Sequence, residues 1–126
     1  MSRIPATVLV FNSQSLTGIG STLLSEIIPI GRNEFASMQY TLSAPGLVVT
    51  ATIQLLVSAT NAPSYFVQPT NSSGADVGTL YQMNSNNQVF NVALPMIDFA
   101  RIQIKSSTAG TITFDKVWLI FDELNN

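Results

Sequence analysis

Apolar and polar side chains alternate with a period of two through the middle of this 126-residue chain. The polar members are mostly Ser, Thr, Asn and Gln, and no charged residue occurs between Glu34 and Asp76. Successive side chains of a β-strand point to opposite faces. The alternation therefore predicts strands that bury one face and keep the other polar and neutral.

Two of the predicted strands are especially clear. Apolar residues occupy every second position of 36–42 and again of 49–57. Pro45 and Gly46 lie between these two runs, and such a pair is typical of a tight turn. We therefore expect the two strands to pair as a hairpin.

Further short strands are predicted along the rest of the chain, most of them separated by loops rich in Gly, Asn, Ser or Pro. They span residues 7–12, 22–30, 64–68, 79–83, 88–94, 99–106 and 111–121. About eight or nine strands without a helical period predict an all-β fold, a single-domain antiparallel β-sandwich that is jelly-roll-like. We expect residues 1–126 to share one core, with 1–20 as an extended amino-terminal arm or an edge strand.

The chain carries little charge. Charged residues make up 10% of it, and the formal net charge is -2 at pH 7. The basic residues form no stripe that would follow a phosphate backbone, so we expect no nucleic-acid partner. No window approaches the roughly 18 apolar residues of a membrane helix, so we expect no membrane partner. Permanently buried surfaces avoid charge because desolvating an ion is costly, and the composition therefore favours an assembled component.

The residue inventory argues against an enzyme. The chain has no His and no Cys, which removes the commonest general base, the thiol nucleophile and thiolate metal ligands. A two-carboxylate glycosidase stays an alternative, because the fold sets the separation of the acids. We expect no catalytic residue, no cofactor and no metal.

The last predicted strand has apolar residues on both faces. Strict alternation places Ile112, Phe114, Trp118 and Ile120 on one face and Val117, Leu119 and Phe121 on the other. One core cannot cover both faces. Either a long loop or the amino-terminal segment overlies the second face, or another subunit does. The candidate interface residues are Val117, Trp118, Leu119 and Phe121.

Three aromatic residues lie beside loops rich in Asn and Ser: Tyr65, Phe66 and Tyr81. A ring that stacks on a sugar face, with amides that bond its hydroxyls, suits carbohydrate binding. These residues are therefore the candidate glycan contacts. The alternative is that they fill the core at strand ends.

The strand predicted at 99–106 places two basic side chains on its outward face. Arg101, Gln103 and Lys105 alternate there with inward apolar residues. We expect a structural role for Arg101 and Lys105, either bonded to carboxylates of a neighbouring strand or chain or solvated. An exposed pair of this kind contributes at most about 1 kcal/mol.

Five stretches of the chain resemble parts of a known family. They are Ser25-Glu26 leading into Pro29 and Gly31, 35–40 with its outward Gln39, 53–61 with its Ser-Asn turn, 99–104 with Arg101 after a small residue, and the Gly-containing turn at 107–112. In this order they resemble the β-sandwich virion proteins of tailed phages, the jelly-roll or discoidin-like modules of decoration, head and tail components.

The resemblance implies a non-enzymatic virion structural protein, made in the host cytoplasm and located on the capsid or tail surface. Capsid decoration or cement is the role we expect first. The expected partners are further copies of the chain, with a trimer assumed, and a major capsid or other virion protein. The alternative is a lectin-like, receptor-binding module of a tail component.

Overall fold

The computed structural model describes residues 2–31, 35–42, 51–68, 73, 80–83, 87–93, 97–107 and 109–125. They form β1 (Ser2–Thr17), β2 (Thr22–Leu24), β3 (Ile28–Pro29), β4 (Phe35–Leu42), β5 (Ala51–Ser58), a 3₁₀ turn (Pro63–Tyr65), β6 (Leu80–Met83), β7 (Asn87–Ala93), β8 (Phe99–Ser106) and β9 (Thr111–Asn125). Within these ranges no helix has the length and hydropathy needed to cross a membrane.

The strands form two antiparallel sheets. Sheet A has the order β1-β9-β4-β7, and sheet B has the order β2-β8-β5-β6, with β3 also pairing with β8. The pairs are nested along the chain: β1 with β9, β2 and β3 with β8, β4 with β7, and β5 with β6. Rolling one long antiparallel hairpin into a sandwich produces this nesting, which is the jelly-roll topology. The predicted all-β sandwich is confirmed.

The core lies between the two sheets and takes alternate residues from their strands. In sheet A the apolar row of 36–42 is buried, as predicted, and in sheet B every second side chain of β5 and β8 is buried. Tyr40, Met38, Ile53, Leu55, Ile102 and Ile104 are among its most completely buried side chains. The period of two therefore identified the inner faces of β4, β5 and β8 correctly.

The predicted hairpin between β4 and β5 is wrong. β4 pairs with β7 and β9 in sheet A, whereas β5 pairs with β6 and β8 in sheet B. The chain between them, 43–50, lies outside the described residues, and so do Pro45 and Gly46. Alternation shows which side chains face inward, but it does not select the strand that pairs with them.

The strand predicted at 64–68 is also wrong. This segment begins in the 3₁₀ turn and then makes one isolated bridge, between Val67 and Val57. The two residues exchange backbone hydrogen bonds of 2.8 and 3.0 Å. Pro63 occupies the start of the turn, where its missing N–H costs nothing.

A β-bulge in β9 changes which of its side chains face the core. Thr41 of β4 lies opposite Lys116 and Leu42 lies opposite Phe114, so Asp115 is the extra residue. The bulge shifts the alternation by one position. The buried set is therefore Ile112, Phe114, Val117, Leu119 and Phe121, while Trp118 and Ile120 lie half-buried on the outer face.

The face assignment predicted for β9 is corrected by this bulge. Val117, Leu119 and Phe121 belong to the protein's own core, so they offer no surface to a partner. β9 lies between β1 and β4, and β1 is the amino-terminal segment. The amino-terminal segment, expected as one possible cover over the second face of β9, instead pairs beside β9 within sheet A. Sheet B covers the inner face of β9.

Ser25 joins the interrupted strand formed by β2 and β3 to β8. Leu24 pairs with Gln103 and Ile28 with Ala100, so four steps along one strand match three along the other. The buried Ser25 N–H donates to the Ile102 carbonyl at 2.9 Å, and the Ile102 N–H donates to Ser25 Oγ at 2.8 Å. The serine hydroxyl thus supplies the acceptor that a regular strand would supply from its backbone.

Truncating a residue on the inner face of β9 should destabilise the protein strongly. Leu119→Ala removes a fully buried side chain and leaves a cavity, so we expect the free energy of unfolding to fall by about 2 to 5 kcal/mol. The matched control is Leu24→Ala, at a partly exposed position, with an expected loss below about 1 kcal/mol. Urea denaturation measures both, and equal losses would contradict the assigned inner face.

Removing the Ser25 hydroxyl should also be costly, because it leaves the buried Ile102 N–H without its acceptor. We expect Ser25→Ala to lower the free energy of unfolding by about 1 to 3 kcal/mol. Ser15→Ala removes an exposed hydroxyl bonded to Thr113 and should cost less than about 0.5 kcal/mol. Thermal and urea unfolding of the pair compare the two sites, and a Ser25→Ala protein as stable as Ser15→Ala would disprove the joining role.

Candidate interaction surfaces

The outer face of sheet A carries three rows of side chains that run across its four strands. The strand registers place Thr7, Ile120, Ser37 and Asn91 in one row, Leu9, Trp118, Gln39 and Val89 in the next, and Asn12, Lys116, Thr41 and Asn87 in the third. Most of these side chains are neutral and polar. The outer face of sheet A therefore presents the same kinds of neutral polar residue that alternate with apolar ones in the sequence.

Leu9, Trp118 and Ile120 form an apolar cluster on this face, which we call the outer cluster. Leu9 lies directly opposite Trp118, and Ile120 follows Trp118 on the same face of β9. Leu9 is 45% exposed, and Trp118 and Ile120 are half-buried. Val89 adds a further apolar side chain, 61% exposed, two strands away beyond Gln39. The large apolar side chains here are thus left partly open to solvent.

The three rows that contain the outer cluster carry little charge, and the next charged residue along this face of β9 is Asp122, opposite Pro5. Lys116 is the one charged residue of the three rows, and its ammonium donates to Asn12 Oδ1 at 3.2 Å. Other polar groups of the face bond to one another, such as the Ser37 hydroxyl to Asn91 Oδ1 at 3.3 Å. A partner that covers this face would therefore desolvate few charges.

Only Trp118 of the four predicted interface residues contributes to this surface. Val117, Leu119 and Phe121 lie on the other side of the strand, as described above. Sequence reasoning did not include Leu9, Ile120 or Val89 in the interface. The sequence could have indicated Val89, because it lies on the same strand face as the polar Asn87 and Asn91. The proximity of Leu9 to Trp118 depends on strand pairing, which the sequence pattern does not give.

β1 leaves one of its edges open. It lies at the end of sheet A, and no strand of the described residues pairs with its second edge. A cleft of about 570 Å³ runs between β1 and the segment that joins β2 to β3, with Val8, Val10 and Ile28 in its walls. Val10 is the extra residue of a bulge in β1, which interrupts the edge next to the cleft.

The described structure gives the side chains of two of the three candidate glycan contacts, Tyr65 and Phe66. Tyr65 is 66% exposed at the end of the 3₁₀ turn. Phe66 is half-buried, and its ring centroid lies 5.8 Å from the guanidinium carbon of Arg101. The backbone of Tyr81 lies in β6, and its side chain is outside the described part of the structure.

The outer face of sheet B carries two polar clefts along β8. Arg101 lies in the first, a cleft of about 510 Å³ that also contains Glu26 and Asn61. Its Nε–H donates to the Ser25 carbonyl at 2.9 Å. The second cleft, of about 280 Å³, is lined by Thr52, Gln54, Gln68, Gln103 and Lys105. Sequence reasoning placed Arg101, Gln103 and Lys105 on one outward face, and only the fold adds Gln54 and Gln68.

The described residues contain no group of three or more His, Cys, Asp or Glu side chains able to hold a metal ion. Asp98 and Glu26 lie near opposite ends of the β3–β8 pairing, and Asp115 lies in the bulge of β9 in the other sheet.

The chain matches no protein-family model and no curated protein. Among solved structures it is similar to the secreted serine protease VesC from Vibrio cholerae, with 12% identity and a TM-score of 0.38. The match covers 94% of this chain and 24% of the protease, so the chain spans about a quarter of that protein's length. A similarity this low carries no argument about function.

Proposed function

We propose that this protein is a non-enzymatic structural component that assembles with copies of itself through the outer face of sheet A. The observation that carries the proposal is the outer cluster of Leu9, Trp118 and Ile120, partly exposed among mostly neutral polar side chains. A role in a phage virion, as capsid decoration or cement, is the specific form that the sequence resemblance favours.

The chemistry of the outer cluster suits a protein interface. Tryptophan is enriched among the residues that contribute most to binding energy, and charged residues are depleted at interface centres. Trp118 lies on β9, a central strand whose backbone is paired on both sides, so its position is set before a partner arrives. A preorganised side chain loses less conformational entropy on binding.

A second copy of the chain is the partner that this face fits best. The three rows contain no carboxylate to attract a basic partner, and their single ammonium already bonds to Asn12. A neutral face of hydroxyl, amide and apolar groups can meet its own copy without like-charge repulsion. The open edge of β1 borders the same face and gives the copy a second set of contacts, since unpaired strand edges favour association.

The virion role rests on the sequence resemblance together with this assembly surface. Jelly rolls occur in viral capsid proteins and in lectins, so the fold suits both the decoration role and the tail-module alternative. Electron cryomicroscopy of the native particle separates the two. Density for this chain between capsomers would support decoration, density at the tail tip would favour the alternative, and its absence from particles would contradict both.

Introducing charge into the outer cluster should abolish assembly without unfolding the protein. We expect the wild-type protein to self-associate at micromolar concentration and Leu9→Glu to remain a monomer, because each interface would bury an unpaired carboxylate. Light scattering coupled to size exclusion measures the mass, and circular dichroism checks the fold.

The matched control is Ile19→Glu, an equally large change at an exposed apolar residue in the turn after β1. It should assemble like the wild type. A wild-type protein that is only a 13.6 kDa monomer would overturn the proposal, as would an Ile19→Glu variant that loses assembly to the same extent.

A further inference from the structure

We propose that the outer face of sheet B binds an acidic saccharide, with Arg101 as the carboxylate anchor and the neighbouring glutamines as partners for sugar hydroxyls. This site lies on the opposite face of the sandwich from the outer cluster. The argument rests on two polar clefts along β8. Arg101 lines the first cleft, and Gln103 and Lys105 line the second.

Arg101 is held in place by two contacts. Its Nε–H donates to the Ser25 carbonyl at 2.9 Å, and its guanidinium faces the Phe66 ring at 5.8 Å. Ser25 is itself tied to Ile102 by the two hydrogen bonds described above. The guanidinium is therefore oriented by rigid neighbours.

Among the described residues, Arg101 donates one side-chain hydrogen bond, from Nε. Its terminal nitrogens donate none within those ranges. The cleft also contains the exposed side chains of Asn61 and Glu26. A fixed guanidinium with free terminal N–H groups matches a carboxylate, which it can bind through two parallel hydrogen bonds.

The second cleft offers groups that suit hydroxyls. Gln54 and Gln103 lie directly opposite each other, and Gln54 Nε2 donates to Gln68 Oε1 at 2.6 Å. Each glutamine amide has two donors and an acceptor, so further hydrogen bonds remain available after this contact. Lys105, opposite Thr52, adds a positive charge, and no carboxylate is among the lining residues described.

The spacing along β8 connects the two clefts. Arg101, Gln103 and Lys105 alternate on one face, so the first and last are about 13 Å apart for an extended strand. A ligand of short-oligosaccharide length would therefore reach both the guanidinium and the ammonium, with the amides between them.

Other ligands fit this surface less well. Two basic side chains are too few to follow a nucleic-acid backbone. A neutral sugar would leave the guanidinium and the ammonium without a counterion. An acidic sugar places its carboxylate on the Arg101 guanidinium and its hydroxyls on the glutamines, and Tyr65, next to Phe66, offers an exposed ring nearby.

The test is a calorimetric titration of the full chain with two acidic probes and their neutral counterparts. The pairs are trigalacturonate with its methyl ester, and sialyllactose with lactose, which separate uronate from sialate recognition. We expect at least one acidic probe to bind and its neutral counterpart to bind at least about tenfold more weakly. Failure of both acidic probes to bind at millimolar concentration, or equal binding of a neutral counterpart, would overturn the proposal.

Variants then locate the site. Arg101→Gln and Gln103→Ala should each weaken binding of the acidic probe, by about tenfold or more for the arginine. Gln103→Ala makes no change to the Ser25 contacts, so it remains informative if Arg101→Gln unfolds. Lys116→Gln removes the same charge from sheet A and should leave binding unchanged. An equal loss in Lys116→Gln would indicate attraction to net charge alone and would contradict the assigned site.

Discussion

The pairing of β1 with β9 is the interaction on which the rest of the structure depends. It joins the two ends of the chain over nearly the whole of both strands, from Ser2 opposite Asn125 to Thr17 opposite Thr111. The other strand pairs are nested inside this one along the chain, and closing it completes sheet A. Contacts between residues this far apart in sequence cost loop-closure entropy, and folds dominated by them form slowly.

The same pairing creates the outer cluster, because it brings Leu9 beside Trp118. The bulge at Asp115 is equally necessary, since it turns Val117 inward and leaves Trp118 outside. A bulge that re-aims side chains at a functional surface is a common use of this irregularity. One local backbone feature therefore decides both the packing of the core at β9 and the chemistry of the face on its other side.

The two outer faces of the sandwich differ in a way that favours different tasks. Sheet A presents apolar side chains among neutral polar ones, whereas sheet B presents Arg101 and Lys105 among glutamines. A neutral apolar face loses little when a partner excludes water from it. A face with fixed cations and amides instead suits a small polar ligand that can replace their hydration. Both proposals follow from this asymmetry, and neither requires catalytic chemistry.

By itself the sequence determined the fold class and most of the inner faces, because the period of two in strands such as β4, β5 and β8 depends only on local backbone geometry. It also placed Arg101, Gln103 and Lys105 together, since they share one strand. It did not determine that β4 and β5 lie in opposite sheets, because alternation is the same for any pairing partner. Nor did it reveal the bulge at Asp115, which changes the face of β9 to which every later side chain points. Only the tertiary structure decided which side of β9 faces solvent and which glutamines lie beside Gln103 and Lys105. Both depend on strand register, and register is set by contacts between residues distant in the chain.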